Sequence, residues 1–165
     1  MNDIAFGIGT NVVPLKAPVD SAGTAYATPF VDLKNALHAR FFYYAGVVTA
    51  TSADQAVVIT MEAATAAASG SEVAIAFKYR LSGATGANTE GTITSATSAG
   101  VSFGTTDDGK FLAIDIDPAA LEGALADARF VRMVVGIDAG GTVTLNAAWA
   151  VLDPRYPQLT QKSAT

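Results

Sequence analysis

The sequence predicts an all-β chain: an antiparallel β-sandwich or jelly-roll-like barrel with one short helix, an extended N-terminal arm and a short C-terminal tail. Three observations carry this. Seven or eight short runs are rich in β-branched and aromatic residues or alternate apolar with polar. Turn signals built on Gly, Asn, Asp and Pro separate them. A single segment, near residues 118–125, carries helix signals, so nothing supplies the crossover helices of a parallel sheet. With 165 residues the chain fits one domain and can bury roughly 70% of its unfolded surface without disulfide staples.

The pattern begins with residues 1–26, read as an arm. Gly7, Gly9, Pro14, Pro18 and Gly23 interrupt any period, while Ile4, Phe6, Ile8, Val12, Val13 and Leu15 supply apolar anchors. Such a leader either docks on a neighbouring subunit or packs on its own domain as a first strand; a disordered leader usually carries fewer anchors. The domain proper is placed at 27–157, with a polar tail at 158–165.

Strands are expected at 29–33, 40–50 and 55–64, with a turn at Lys34-Asn35-Ala36. Residues 63–68 favour helix by composition but are too few to stand alone, and read as loop. Residues 72–81 give the cleanest alternation, with Val73, Ile75, Phe77, Tyr79 and Leu81 on one face. Short strands at 92–97 and 101–103 follow, then the turn Thr106-Asp107-Asp108-Gly109 and a strand at 111–117. Asp117 can cap the helix, with Pro118 in its first position and Gly123 keeping it short. Residues 129–138 form a strand, and Ala139-Gly140-Gly141 turns the chain into its hairpin partner at 142–152. Pro154 and Pro157 then stop the ladder.

Composition narrows function. A net charge of −5 with ten scattered basic residues argues against nucleic acid as a partner. Without cysteine there is no disulfide, thiolate-zinc or thiol catalysis. No apolar run approaches the roughly 20 residues of a membrane helix, and Met1-Asn2-Asp3-Ile4 lacks the marks of a signal peptide, so a soluble product of the cytoplasm is expected. The charged fraction of 15% is low against about 25% for an ordinary domain, which suits a surface partly covered by partners.

Catalytic and cofactor signals are weak, and no enzyme or cofactor is expected. His38 is the sole histidine and no G-x-S-x-G elbow accompanies it. Asp107, Asp108, Asp115 and Asp117 could offer oxygens to Ca²⁺, but turn formation and helix capping explain most of them. Gly7-Ile8-Gly9 and Gly83-Ala84-Thr85-Gly86 lack the helix that a phosphate cradle needs. In Phe41-Phe42-Tyr43-Tyr44 at most two rings share a face, which suggests core on one side and a subunit contact on the other.

The succession of Phe30-Val31-Asp32-Leu33-Lys34, Ala63-Ala64-Thr65, Ser69-Gly70-Ser71-Glu72, the 116–123 segment, Phe130-Val131-Arg132 and Asp153-Pro154-Arg155-Tyr156-Pro157 resembles small structural proteins from the head gene clusters of tailed bacteriophages, among them the capsid decoration or cement type. The resemblance spans about residues 28–158. It implies a virion protein, made in the host cytoplasm, that binds the major capsid protein on the capsid surface, often as a trimer or dimer. Ile4, Phe6, Ile8, Val12, Val13, Tyr43, Arg155 and Tyr156 are the candidate partner contacts, read from this sequence alone. The rival readings are a tail, neck or fibre-associated module, a carbohydrate-binding β-sandwich and an enzyme. The carbohydrate reading needs an exposed aromatic platform, whereas Trp149 among Ala147, Ala148, Ala150 and Val151 is expected to be buried.

Overall fold

The computed structural model describes residues 10–21, 23–49, 56–68, 70–83, 86–87, 89–138 and 140–155. Two antiparallel six-stranded sheets face one another across a shared core. The first runs, edge to edge, β1 (Asn11–Val19), β14 (Asn146–Pro154), β4 (Ala36–Tyr44), β11 (Phe111–Ile116), β8 (Phe77–Leu81) and β9 (Thr94–Ala96). The second has β10 (Val101–Phe103), β6 (Val57–Ala64), β12 (Phe130–Ile137) and β2 (Tyr26–Ala27), with β3 (Val31–Asp32) on β12 and β7 (Val73–Ile75) on β6. A small third pairing joins β5 (Val48–Thr49) to β13 (Thr142–Val143). The helix α1 (Pro118–Leu121) follows β11, and the Asp117 carboxylate caps it by accepting the Ala119 N–H at 2.9 Å.

Strand alternation builds the core. Phe41 and Tyr43 of β4, Leu112 and Ile114 of β11, and Ala148 and Ala150 of β14 point inward. From the second sheet Val57, Ile59, Met61, Val131, Met133 and Val135 meet them. Tyr43 packs edge-on against Phe103, 5.7 Å between ring centres, so the central strand of one sheet touches the edge strand of the other. Small residues sit beside large ones: Ala148 pairs with Tyr43 and Ala150 with Phe41. The alanine-rich strand β14 thereby leaves room for the aromatic strand β4.

Of the two readings of the leader, residues 11–19 adopt the self-packed strand. They pair with β14 of the same chain and bury Leu15. A buried polar knot holds the segment that follows. Asn146 donates to the Ser21 hydroxyl at 2.5 Å and the Val19 carbonyl at 3.0 Å, and accepts from the Tyr26 hydroxyl at 2.5 Å. Burial of Tyr26 holds its hydroxyl protonated, with its pKa pushed well above the ordinary phenol value. Residues 1–9, with Ile4, Phe6 and Ile8, lie outside the described residues, as does Tyr156.

Two expectations are corrected. The run 72–81 is not one strand: it breaks at Ala76, with β7 paired to β6 in the second sheet and β8 to β11 in the first. Ile75 and Phe77 both point into the core on either side of the break, so the alternation continues while the chain changes sheet. Nor is 142–152 the hairpin partner of β12. After the turn closed by the Gly141 N–H on the Asp138 carbonyl, the chain passes through β13 to β14 in the opposite sheet. The crossing depends on Gly46, where a Cβ would lie 2.0 Å from the Thr144 carbonyl oxygen. Gly46→Ala is expected to lower stability by about 1–3 kcal/mol in urea denaturation, because the Thr144 backbone must move to admit the methyl group.

Candidate functional site: the outward aromatic face

The same alternation that buries Phe41 and Tyr43 turns Phe42 and Tyr44 outward. Cross-strand register sets Trp149 opposite Phe42, and Phe111 opposite Tyr44. Phe42 and Trp149 stack at 5.3 Å with ring planes 13° apart. Phe111 meets Trp149 edge-on at 5.5 Å and leans on Tyr44 at 5.0 Å. Val151, Ala147, Ala113, Pro14 and Val12 share this face by register, making it continuous and apolar across four strands. Phe111 and Val12 remain 40% and 42% exposed, so this is surface and not a second core.

Trp149 therefore stands half-buried on the outer face, not in the core as its alanine neighbours suggested. Tyr43 is corrected the other way. It is fully buried, its hydroxyl has no hydrogen-bond partner, and burial raises its pKa well above the ordinary value. It cannot contact a partner from there; the outward rings of the strand are Phe42 and Tyr44. Of the other candidates, Val12 is exposed on the aromatic face, whereas Val13 packs against the core. Arg155 is exposed at the far end of β14, its N–H bonded to the Asn35 carbonyl.

A polar rim bounds the face at the start of β4. Arg40 donates to Asp115 at 2.7 Å, and His38 lies 3.5 Å from Asp115 and 3.7 Å from Asp153. The polar neighbours of His38 are thus carboxylates, where a Ser-His-Asp device requires a hydroxyl. Asp107 accepts the Gly104 N–H and the Lys110 ammonium, and Asp108 accepts the Val48 N–H. These oxygens fasten turns, and among the described residues no group of three or more His, Asp or Glu side chains is placed to hold a metal ion. No helix of the described residues is long and apolar enough to cross a membrane.

The outward face of the second sheet is built differently. Arg132 bridges Glu62 at 2.8 Å and Glu72 at 2.9 Å, with its guanidinium 4.6 Å from the Phe30 ring centre. The Gly70 N–H, together with Arg132, holds the Glu72 carboxyl below its usual pKa. Beyond this triad Arg129 grips both oxygens of Asp32 and lowers that carboxyl's pKa too. The charges there neutralise one another in place. Among the described residues, rings packed on one another across strands and partly exposed are found on the outer face of the first sheet, whereas Phe30 and Phe130 on the second lie under arginines.

Comparison of the chain with family models, curated proteins and solved structures gives no match. The geometry alone therefore weighs the readings. A sugar-binding platform lays a ring flat toward solvent. Here Trp149 is stacked on Phe42 and met edge-on by Phe111, so its ring is engaged by neighbouring rings and does not stand free.

Two measurements check this account. Oligosaccharide titration is expected to leave the fluorescence of the single tryptophan unchanged; saturable quenching would restore the carbohydrate reading. Arg132→Ala is expected to lower stability at neutral pH, because it removes the cation that bridges Glu62 and Glu72. A carboxyl whose folded pKa is depressed stabilises above its unfolded pKa and loses that contribution as pH falls through the folded value. The deficit of Arg132→Ala should accordingly shrink as the pH is taken below about 4, read from denaturation curves across pH.

Proposed function

We propose that this chain is a non-enzymatic structural protein of a virion, which binds the outside of a tailed-phage capsid and stabilises it, with the outward aromatic face of the first sheet as its contact surface. The observation that carries the reading is that face: four interlocked rings and their aliphatic neighbours, partly exposed and bordered by ion pairs. Aromatic residues in a packed, low-charge patch are what protein–protein contacts use as anchors. The resemblance of the sequence to head-cluster proteins supplies the partner, the major capsid protein. The commitment of Asp107, Asp108, Asp115 and Asp117 to turns, an arginine and a helix cap supports a role without chemistry.

Stabilisation in this reading is a matter of area and repetition. A single contact of modest strength, made at every equivalent position of a shell, adds up by avidity.

Mass spectrometry of purified virions tests the assignment. Copy numbers close to those of the major shell protein are expected. A handful of copies would move the protein to the tail or neck, and absence from particles would end the virion reading. Phe111→Asp, which places a charge at the exposed edge of the patch, is expected to abolish incorporation while leaving the melting temperature within a few degrees. Normal incorporation of that variant would show that the aromatic face is not the contact.

A further inference from the structure

The end of the first sheet where β1 starts also holds a groove. Followed from strand to strand, the register sets Asn11 of β1 level with Leu152 of β14, Ala39 of β4 and Ile116 of β11. One step on from the Asp115–Lys78 pair, the same row reaches Phe77 of β8. There lies a groove of ≈ 510 Å³ with Ile75, Phe77, Ile116 and Leu121 as its apolar lining and the exposed Ala120 and Ala124 at its mouth. Between β1 and the groove stands Leu37, the second residue of β4, 65% exposed. Apolar surface is thus left uncovered along one end of the sheet.

The sequence that precedes β1 matches this end in pattern, length and charge. Ile4, Phe6 and Ile8 alternate with Ala5, Gly7 and Gly9, so an extended run puts three large apolar side chains on one side. Neighbouring strands lie about 4.8 Å apart, which places β8 roughly 19 Å from β1 across four steps. Six extended steps, from Thr10 back to Ile4, cover about 20 Å. On that path Ile8 comes over β14 and β4 beside Leu37, and Phe6 and Ile4 come over β11 and β8, where the groove is. The lining carboxylates are already engaged, since Asp115 accepts from Arg40 and Asp117 caps α1. Residues 4–9 bring no charge against them. Asp3, the next residue back, falls past β11 on the Lys78 side of the groove.

We infer that residues 4–8 cross this end of their own sheet, with Ile4 and Phe6 filling the β8–α1 groove and Ile8 covering Leu37. Ile4, Phe6 and Ile8, expected from the sequence as contacts to a partner, then serve their own domain, as Leu15 of β1 does. The inference uses neither the aromatic face nor a capsid partner, so it stands or falls independently of the function proposed above.

Because the chain has no cysteine, introduced thiols report the contact without background. Ala5→Cys and Ala120→Cys, combined in the full-length chain at low concentration in a glutathione redox buffer, are expected to close an intrachain disulfide. It is read as a monomer on a non-reducing gel whose intact mass has lost two hydrogens. The stability of that disulfide against glutathione should fall at least ~10-fold when Ile4→Ser removes an anchor from the segment. Ala124→Arg, which blocks the mouth of the groove, should lower it to the same extent. Ile4→Ser alters nothing within the sandwich, so its effect does not depend on the fold tolerating a substitution. No disulfide, one formed only between two chains, or an intrachain one that both variants leave equally stable would overturn the inference.

Discussion

The pleat of β4 is the constraint on which the rest of the structure depends. It lies in the interior of the first sheet, between β14 and β11, and carries four consecutive aromatic residues. A strand must send neighbouring side chains to opposite faces. Phe41 and Tyr43 therefore enter the core, while Phe42 and Tyr44 are forced out whatever that costs in exposed apolar area. The flanking strands accommodate both consequences. Ala148 and Ala150 give the inward rings room, and Trp149 and Phe111 cover the sides of the outward ones. Alanine is a poor strand former by propensity, and here it is tolerated because its neighbours are large.

The sheets differ in how their outer faces meet water. On the second, each exposed cation near the triad lies against a carboxylate or a ring, so the surface is satisfied without a partner. On the first, rings contact one another, and Phe111 and Val12 remain partly exposed. That difference argues that binding, where it occurs, uses the first sheet. Its β1 edge is a poor template for strand addition, since Pro14 and Pro18 remove donors and the register shifts twice along β1. Contact through side chains on the face is therefore favoured over contact through backbone at that edge.

Much of the fold was legible in the sequence because alternation and turn chemistry are local. The turn at residues 106–109, the Asp117 cap and the strands around 57–64, 111–116 and 130–137 are read from neighbouring residues alone. What was not legible depends on distant partners. Alternation through residues 72–81 does not say that Ile75 and Phe77 belong to different sheets, because both sheets face the same core. The parity of Phe41–Tyr44 was legible, but which parity faces in was not. That is fixed by register with β11 and β14, and it reversed the expected role of Tyr43. Trp149 sits among alanines in sequence but among rings in space, so its surroundings could not be read along the chain. The groove lined by Ile75, Phe77, Ile116 and Leu121 combines β4, β7, β8, β9, β11 and α1, and no stretch of sequence contains it.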